Sequence, residues 1–444
     1  MIELALPSNT WNAVVAAIQD PIVERCAILL ARQVQRPSNG VKLLVDRVIV
    51  PDRADYSSQS PSAAELRPNF VASVTDQARK ASAALVFVHS HVGDGRPMFS
   101  LTDDRGEKAL ASFLSYRLPD KLHTSIVLSN GQARCRLLGS DEPISVVVLG
   151  DNRQVLFDAA PGPQPSRQLY DRQIRAFGAD GQRTLGKLAV GVVGLGGMGS
   201  LVAQQLIHLG VKSFVLLDPD VIDSTNLNRI SNATLADIGR PKVEVAARYA
   251  VDFTADAHVS TIQGDVIMAS NGRRLLDCDI VFGCTDSHGS RAVLEQISYQ
   301  YLIPTIDMGN VITVEAGRII HIVGRVQMMS PGLACLTCCG LLNSDEVRRD
   351  MLTAFERKAD PYIQGRPEPA PAVMSLNATI SSLAVTMALS AVVGMPIDGR
   401  HIIYRALSSS LKRVASTPTA DCVNCSNSGR LARGDSWPFP GRLD

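Results

Sequence analysis

The 444-residue sequence has no excess of basic charge: 44 Lys and Arg stand against 43 Asp and Glu, a formal net charge of +1. A general nucleic-acid surface needs a basic surplus, so that class is set aside. No basic region followed by an apolar one opens MIELALPSNTWN, so no secretory signal is expected. No apolar run reaches bilayer length. The longest, Leu383–Val393, is interrupted by Thr386 and Ser390 and reads as a buried or dimer-interface helix. Internal repeats are absent too. With these classes removed, neither a membrane nor a nucleic-acid partner is expected, and the chain reads as a cytoplasmic globular protein of two or three domains. Its nine cysteines do not form a disulfide framework: four of them make two C-x-x-C pairs, which favour metal in a reducing compartment.

What is present centres on Val190–Arg229. The apolar run Leu188–Val193 reads as a buried strand, and Gly194, Gly196, Gly197 and Gly199 follow at once. A helix starting near Ser200 turns its N–H groups to an anion. A second strand, Ser213–Leu217, ends in Asp218, about 20 residues beyond the glycines, where an acid meets a ribose hydroxyl. The stretch therefore binds a nucleotide. Strands and helices alternate onward through a helix from Lys242 and strands Val259–Ile262 and Ile280–Gly283, which predicts a parallel sheet covered by helices. Upstream, a helix capped by Ser8 or Asn9 carries Trp11, Val14, Val15 and Ile18 on one face. Strands Cys26–Ala31, Val41–Val45, Val48–Val50, Ala84–Val88, Ile126–Leu128, Ala133–Leu138 and Ser145–Leu149 follow, with a helix near Asn69–Ala81 and Asp52–Pro68 read as loop. The fold class is α/β: an N-terminal α/β domain over 1–157, a Pro-rich linker over 158–168, and a Rossmann-like doubly wound domain with a mixed sheet over 169–444.

In the first domain, His89 and His91 lie one residue apart at a strand end and project to the same side. Asp103, in the next helical turn, completes a three-ligand Zn2+ set that leaves a fourth position for water. Glu24 is the candidate base for that water, and Ser100 the candidate donor to an oxyanion. Glu24, His89-x-His91, Ser100 and Asp103 together resemble the JAB/MPN metalloprotease motif, the family of zinc isopeptidases that remove ubiquitin-like proteins. The loop from His91 to Ser100 is one residue longer than is usual there. A domain of this fold kept only to dock a partner is the alternative. His123 lies outside the pattern and reads as structural.

In the second domain, Asn226 and Arg229 follow Asp218-Pro219-Asp220, Lys242 follows Gly239-Arg240-Pro241, and Asp286 closes the strand end Gly283-Cys284-Thr285. Arg supplies a planar fork for phosphate oxygens, Lys a point charge, and Asp a ligand for Mg2+. Hydride transfer needs no such set, which weighs against a dinucleotide-dependent dehydrogenase. YDRQIRAFGADGQRTL (Tyr170–Leu185), VVGLGGMGS, LDPDVIDSTNLNR, GRPK and CTD, in this order, resemble the adenylation domain of ThiF/MoeB/HesA-type enzymes and ubiquitin-activating (E1) enzymes over about Tyr170–Cys425. The resemblance implies attack by a protein C-terminal carboxylate on the α-phosphate of ATP. It also implies Gly194, Gly196, Gly197, Asp218 and Asp220 at the nucleotide, Asn226, Arg229 and Lys242 on its phosphates, Asp286 on Mg2+, and Arg172 at the ATP of a second subunit in a homodimer. Ile230 stands where many relatives carry Gln.

Four thiolates, Cys335, Cys338, Cys422 and Cys425, suit a closed structural Zn2+ that pins the C-terminal segment. Relatives carry the same two pairs. The crossover segment Asp360–Ser375, where related E1 enzymes hold their acceptor thiol, has no cysteine. Cys339 is the candidate acceptor, or else a structural neighbour of the zinc pair; Cys284 reads as packing, and Cys26, Cys135 and Cys278 as core. The combined domains resemble the activating enzyme of bacterial ubiquitination-like antiphage operons. That implies a ubiquitin-like protein and an E2-like conjugating protein as partners. A sulfur-carrier adenylyltransferase is the alternative.

Overall fold

The computed structural model describes residues 2–443 apart from 94, 163, 354 and 357–370. The cysteine-free crossover Asp360–Ser375 therefore lies outside the described residues up to position 370. The chain forms two compact units. The first comprises Met1–Pro161, Gln300–Leu302 and Arg430–Pro438, and the second comprises Gly162–Tyr299, Ile303–Gly429 and Phe439–Asp444.

The first unit is built on an eight-stranded sheet of order β10-β9-β1-β3-β2-β6-β7-β8. Its strands are β1 (Ile2–Pro7), β2 (Cys26–Gln35), β3 (Val41–Ile49), β6 (Ala84–Ser90), β7 (Thr124–Ser129), β8 (Gln132–Leu137), β9 (Ser145–Leu149) and β10 (Arg153–Phe157). α1 (Ser8–Ile18) buries Trp11, Val14 and Ile18 against Leu4, Leu6 and Leu29 on one face. α2 (Pro68–Ala81) and α3 (Leu101–Arg117) cover the other face through Val74, Ala78 and Leu114, beside Ile28, Leu30 and Leu85.

Three expectations need correction here. Neither Ser8 nor Asn9 caps α1: the N-cap position is Pro7, with no side-chain cap. Asp52–Pro68 is not loop throughout. It contains a 3-10 turn, Arg53–Asp55, and a hairpin of β4 (Tyr56–Ser60) with β5 (Ala63–Leu66). Only Tyr56 of β4 is buried, so the segment lacks the alternation that marks a half-buried strand. Val41–Val45 and Val48–Val50 are parts of one strand, β3, paired with β2 across a register shift at Leu30/Ala31.

The second sheet has the order β13-β12-β11-β14-β15-β16-β17-β18. Strands β11 (Ala189–Val193), β12 (Ser213–Leu217), β13 (His258–Ile262), β14 (Ile280–Gly283) and the start of β15 (Thr305–Glu315) are parallel. β15, β16 (Arg318–Met329), β17 (His401–Arg405) and β18 (Ser410–Arg413) continue antiparallel. The sheet is mixed, and its order reverses at β11, where open α/β sheets form a ligand crevice at the strands' carboxyl ends. α4 (Arg167–Lys187) starts inside the stretch read as linker, with Ser166 Oγ accepting from Leu169 N at 3.4 Å. It is interrupted at Phe177–Gly178. α5 (Gly199–His208) and α6 (Lys242–Phe253) flank the crevice. Among the described residues the remaining α-helices are α7 (Ala269–Arg273), α8 (His288–Gln300), α9 (Ser344–Met351) and α10 (Met374–Val393).

By length and composition α10 could cross a membrane, and it is longer than the Leu383–Val393 run read from the sequence. Its position is that of a core helix. Ile380, Ala384, Val385, Met387 and Ala391 join one cluster with Val192, Phe282 and Met308. Its buried Ser381 Oγ donates to Met198 O at 3.0 Å, and Ser390 Oγ to Met395 O at 2.9 Å, so its polar groups are satisfied within the unit. Phe282, fully buried in this cluster, sets a test. Phe282→Ala should cost the second unit about 3–5 kcal/mol in chemical denaturation. A transition unchanged in midpoint would contradict this core assignment.

Candidate active sites

The nucleotide crevice is assembled by one carboxylate. Asp218, 3% exposed at the end of β12, accepts from Leu195 N at 2.5 Å and from Asp220 N at 2.8 Å. Lys242, at the first position of α6 and also buried, places Nζ 2.7 Å from Asp220 Oδ2 and 3.8 Å from Asp218 Oδ1. Burial pushes the Asp218 carboxyl above its usual range, against the pull of Lys242 and of the two backbone donors. The carboxylate thus joins the glycine loop, the end of β12 and the start of α6.

The glycine loop is tight for a physical reason. Gly194 adopts φ +86°, and its N donates to Leu217 O at 2.8 Å. At Gly197 a Cβ would lie 2.2 Å from Asn377 Nδ2 and 3.3 Å from Arg229 Cγ and Cδ, whereas one at Gly196 would meet nothing within 4 Å. Arg229 therefore lies against the loop, and its Nη1 donates to Thr225 O at 3.0 Å. Asn226 is buried, its Oδ1 accepting from Asp223 N at 3.0 Å. Asp286, past the end of β14, is exposed and makes no hydrogen bond or ion pair with the described residues. Arg172 is exposed on α4 and, among the described residues, makes no hydrogen bond or ion pair with this crevice.

Several crevice residues escape a reading by sequence distance. Asn377, at the start of α10, accepts through Oδ1 from Asn310 Nδ2 at 2.8 Å beside the glycine loop. Asp307, 1% exposed in β15, pairs with Arg325 and lies 3.4 Å from Arg291 Nε. A charged residue inside the apolar run of β15 was the available signal. The motif Tyr170–Leu185 also has a second role. Gln173 Nε2 donates to His208 O at 2.9 Å and Gln182 Nε2 to Leu209 O at 2.8 Å, which caps the carbonyl end of α5, the helix that leaves the glycine loop.

In the first unit, β6 and α3 bring His89, His91 and Asp103 together, with ligand atoms all within 4.8 Å of one another. His89 Nε2 is 3.2 Å from His91 Nε2 and 3.3 Å from Asp103 Oδ1; His91 Nε2 is 3.5 Å from Asp103 Oδ2 and 3.8 Å from Glu24 Oε1. Two imidazoles and one carboxylate, half-buried and converging, suit zinc with an open position. Burial opposes ionisation of Asp103, yet the two histidines hold its carboxyl far below the usual range. The bond to Asp103 raises His91, and burial raises Glu24. Ser100 caps α3: its Oγ accepts from Asp103 N at 3.2 Å, while Ser100 N donates to Asp103 Oδ2 at 2.6 Å. The Ser-x-x-Asp spacing thus orients the carboxylate. His123 is structural, accepting from Leu85 N at 3.0 Å, and burial lowers it to about 4.

Cys335, Cys338, Cys422 and Cys425 also converge within 4.8 Å. Sulfur pairs stand 3.5 Å (Cys335–Cys422) and 3.6 Å (Cys338–Cys425) apart. Zn–S bonds of about 2.3 Å in a tetrahedron set sulfurs about 3.8 Å apart, so the set fits the ion. The buried Glu295 of α8 clamps both knuckles, accepting from Thr337 N at 2.7 Å and from Asn424 Nδ2 at 2.7 Å. Cys339 lies beside this cluster, its Sγ 3.4 Å from the donor Gln327 Nε2. Cys135 and Cys278 are buried, whereas Cys26 and Cys284 are half-buried.

Two measurements follow from this geometry. Gly197→Ala should destabilise the second unit by about 1–3 kcal/mol in denaturant. Gly196→Ala should stay within about 0.5 kcal/mol of the parent, and equal effects would refute the close approach. Zinc held by His91 needs the neutral ring. Because the bond to Asp103 raises the ring's pKa, protons compete from above the ordinary value of about 6.5, and the zinc affinity of the histidine cluster should weaken as pH falls through and below that range. A zinc affinity that does not weaken between about pH 7.5 and 5.5, read by chelator competition as the zinc that His89→Ala removes, would contradict this.

The ThiF family profile matches residues 170–426, the span that carries the crevice and the four cysteines. The chain is 26% identical over 262 residues to the molybdopterin-synthase adenylyltransferase of Escherichia coli K12, covering 58% of this chain and 95% of that protein. It is 25% identical over 264 residues to the SAMP-activating enzyme E1 of Haloferax volcanii, covering 59% and 89%. A solved structure of E. coli MccB with ATP aligns at 19% identity over 59% of this chain and 75% of its own, with a TM-score of 0.46. With more than half its length matched and the glycine loop, Asp218 and Lys242 drawn into one crevice, the chain belongs to the ThiF family.

Proposed function

We propose that the second unit adenylates the C-terminal carboxylate of a small ubiquitin-like protein, and that the first is a zinc isopeptidase-like domain of the JAB/MPN type acting on the same class of protein. The observation that carries the first half is Lys242 buried against Asp218 and Asp220 beside the glycine loop, in a chain of the ThiF family. Asp218 accepts a ribose hydroxyl through the lone pairs that Leu195 and Asp220 leave free. Lys242 exchanges Asp220 for phosphate, and Arg229 and Asn226 add donors along the loop. Asp286, exposed and unpaired, offers its carboxylate to Mg2+, which supplies neutralisation of the triphosphate. A carboxylate oxygen of the carrier then bonds to the α-phosphorus, the bond to the bridging oxygen breaks, and pyrophosphate leaves. Arg172, exposed on α4, reaches the ATP of a second subunit in a homodimer.

In the first unit His89, His91 and Asp103 would hold zinc, which would supply Lewis-acid activation of water. Glu24, its pKa raised by burial, takes the proton and returns it to the leaving amine. Ser100 keeps its hydroxyl hydrogen for donation while its oxygen accepts from Asp103 N. The combination fits a cytoplasmic activating enzyme of a bacterial ubiquitination-like antiphage system that passes its product to an E2-like protein, with Cys339 as the candidate thiol.

A sulfur-carrier adenylyltransferase shares the first step and differs after it. It is favoured by 32% identity over 124 residues to the sulfur carrier protein ThiS adenylyltransferase of E. coli, covering 28% of this chain and 49% of that protein. Lys242→Ala and Asp286→Ala should each lower ATP–pyrophosphate exchange with the cognate carrier by about 100-fold or more. Full exchange in either variant would remove that residue from the reaction.

A further inference from the structure

Glu24 lies in the connection between α1 and β2, outside any helix or strand. Among the described residues its side chain makes no hydrogen bond, apart from an approach of 3.8 Å between Oε1 and His91 Nε2. The place of that carboxylate is therefore set by the main chain that carries it. Buried backbone groups need partners, so the partners of Glu24, Arg25 and Cys26 identify what holds it. Arg25 is held by the end of β6: its N donates to Ser90 Oγ at 3.2 Å, and its O accepts from Ser90 N at 3.0 Å.

Glu24 and Cys26 are held by the β4–β5 hairpin. In an antiparallel sheet alternate residues of a strand turn both backbone groups to the same neighbour. Ile28 pairs with Ile49, the last residue of β3, so Cys26, two positions earlier, reaches that edge where β3 has ended. The Tyr56 hydroxyl replaces the missing strand: it accepts from Cys26 N at 3.0 Å and donates to Cys26 O at 3.3 Å. Ser60 O accepts from Glu24 N at 2.9 Å, Gln59 Nε2 donates to Glu24 O at 3.2 Å, and Cys26 Sγ donates to Ala64 O at 3.8 Å. Among the described residues, every hydrogen bond that β4 and β5 make outside Asp52–Arg67 ends on Glu24 or Cys26. Only Tyr56 of β4 is buried, so these contacts, and not a share of the core, are what the hairpin supplies.

We propose that Tyr56 is a positioning residue of the hydrolytic site, and that the β4–β5 hairpin is the clamp that holds Glu24 at the histidine cluster. The inference rests on the hydrolytic reading of that cluster. A general base must stand within hydrogen-bond reach of the water it deprotonates, and a displacement of about 1 Å can cost about 100-fold in rate. Tyr56 makes no hydrogen bond with His89, His91 or Asp103, so it acts through the main chain alone. Cys26 also stands opposite His89 in the pairing of β2 with β6. The same hydroxyl thus fixes the strand start that places the base beside the two histidines.

The test uses the full chain in two states. In the metal-free chain, Tyr56→Phe should speed amide hydrogen exchange at Cys26 by about tenfold and leave the amides of β7 unchanged. In the zinc-loaded chain, the probe is a candidate ubiquitin-like protein fused through its C terminus to a short fluorescent peptide. Tyr56→Phe should lower kcat for its cleavage by about tenfold or more, with KM and zinc content held. Gln59→Ala, which leaves the buried ring in place, should act in the same direction and less. In a Glu24→Gln background Tyr56→Phe should lower kcat no further, because its effect passes through that carboxylate. Parent exchange at Cys26, a parent kcat, a change confined to KM, or an equal further loss in the Glu24→Gln background would each overturn the clamp. A parent chain that takes up zinc and cleaves nothing, while Tyr56→Phe still frees the Cys26 amide, would defeat the hydrolytic reading and leave the clamp on the Glu24 main chain standing.

Discussion

The second unit depends on a buried carboxylate. Asp218 has almost no access to water, and an isolated charge there would cost several kcal/mol. It is tolerated because Leu195 N, Asp220 N and the nearby Lys242 ammonium share it. Those three partners belong to the loop after β11, the turn after β12 and the start of α6, so one charge fixes the relative position of all three. The same tie presents the glycine loop's N–H groups and a lysine to one crevice. Asn377, Arg229 and the glutamines that cap α5 hold the loop from its other sides.

The two metal-fitting clusters differ in the surroundings of their ligands. Four sulfurs at near-tetrahedral spacing, with Glu295 clamping both knuckles, leave no position for a reactant and suit a structural ion. The histidine cluster has three converging ligands, a carboxylate raised by burial beside them, and a cavity at its edge. An open coordination position beside a base is what hydrolytic chemistry requires. Ser100 and Asp103 cap α3 reciprocally, so the helix start itself orients one of the three ligands.

What the sequence made legible was local. The glycines with Asp218, the pair His89 and His91, and the C-x-x-C knuckles each depend on spacing within one element or one turn, and each lies where its spacing places it. What it hid depends on register between distant segments. Asn377 meets Gly197 across 180 positions, Glu295 reaches Asn424 from another element, and Asp307 is explained by Arg325 on the neighbouring strand and Arg291 on α8. The β4–β5 hairpin was hidden for a different reason: its short strands leave most side chains exposed, so Ser-rich composition outweighed pattern.

The central claim is that the crevice joins AMP to a protein's C-terminal carboxylate. Its most direct test is the intact mass of a candidate ubiquitin-like protein after incubation with the chain and Mg-ATP. The account predicts that the carrier gains the mass of an adenylyl group, lost again on adding pyrophosphate, with AMP and not ADP as the nucleotide product. A carrier of unchanged mass in a reaction that releases ADP and phosphate would contradict it.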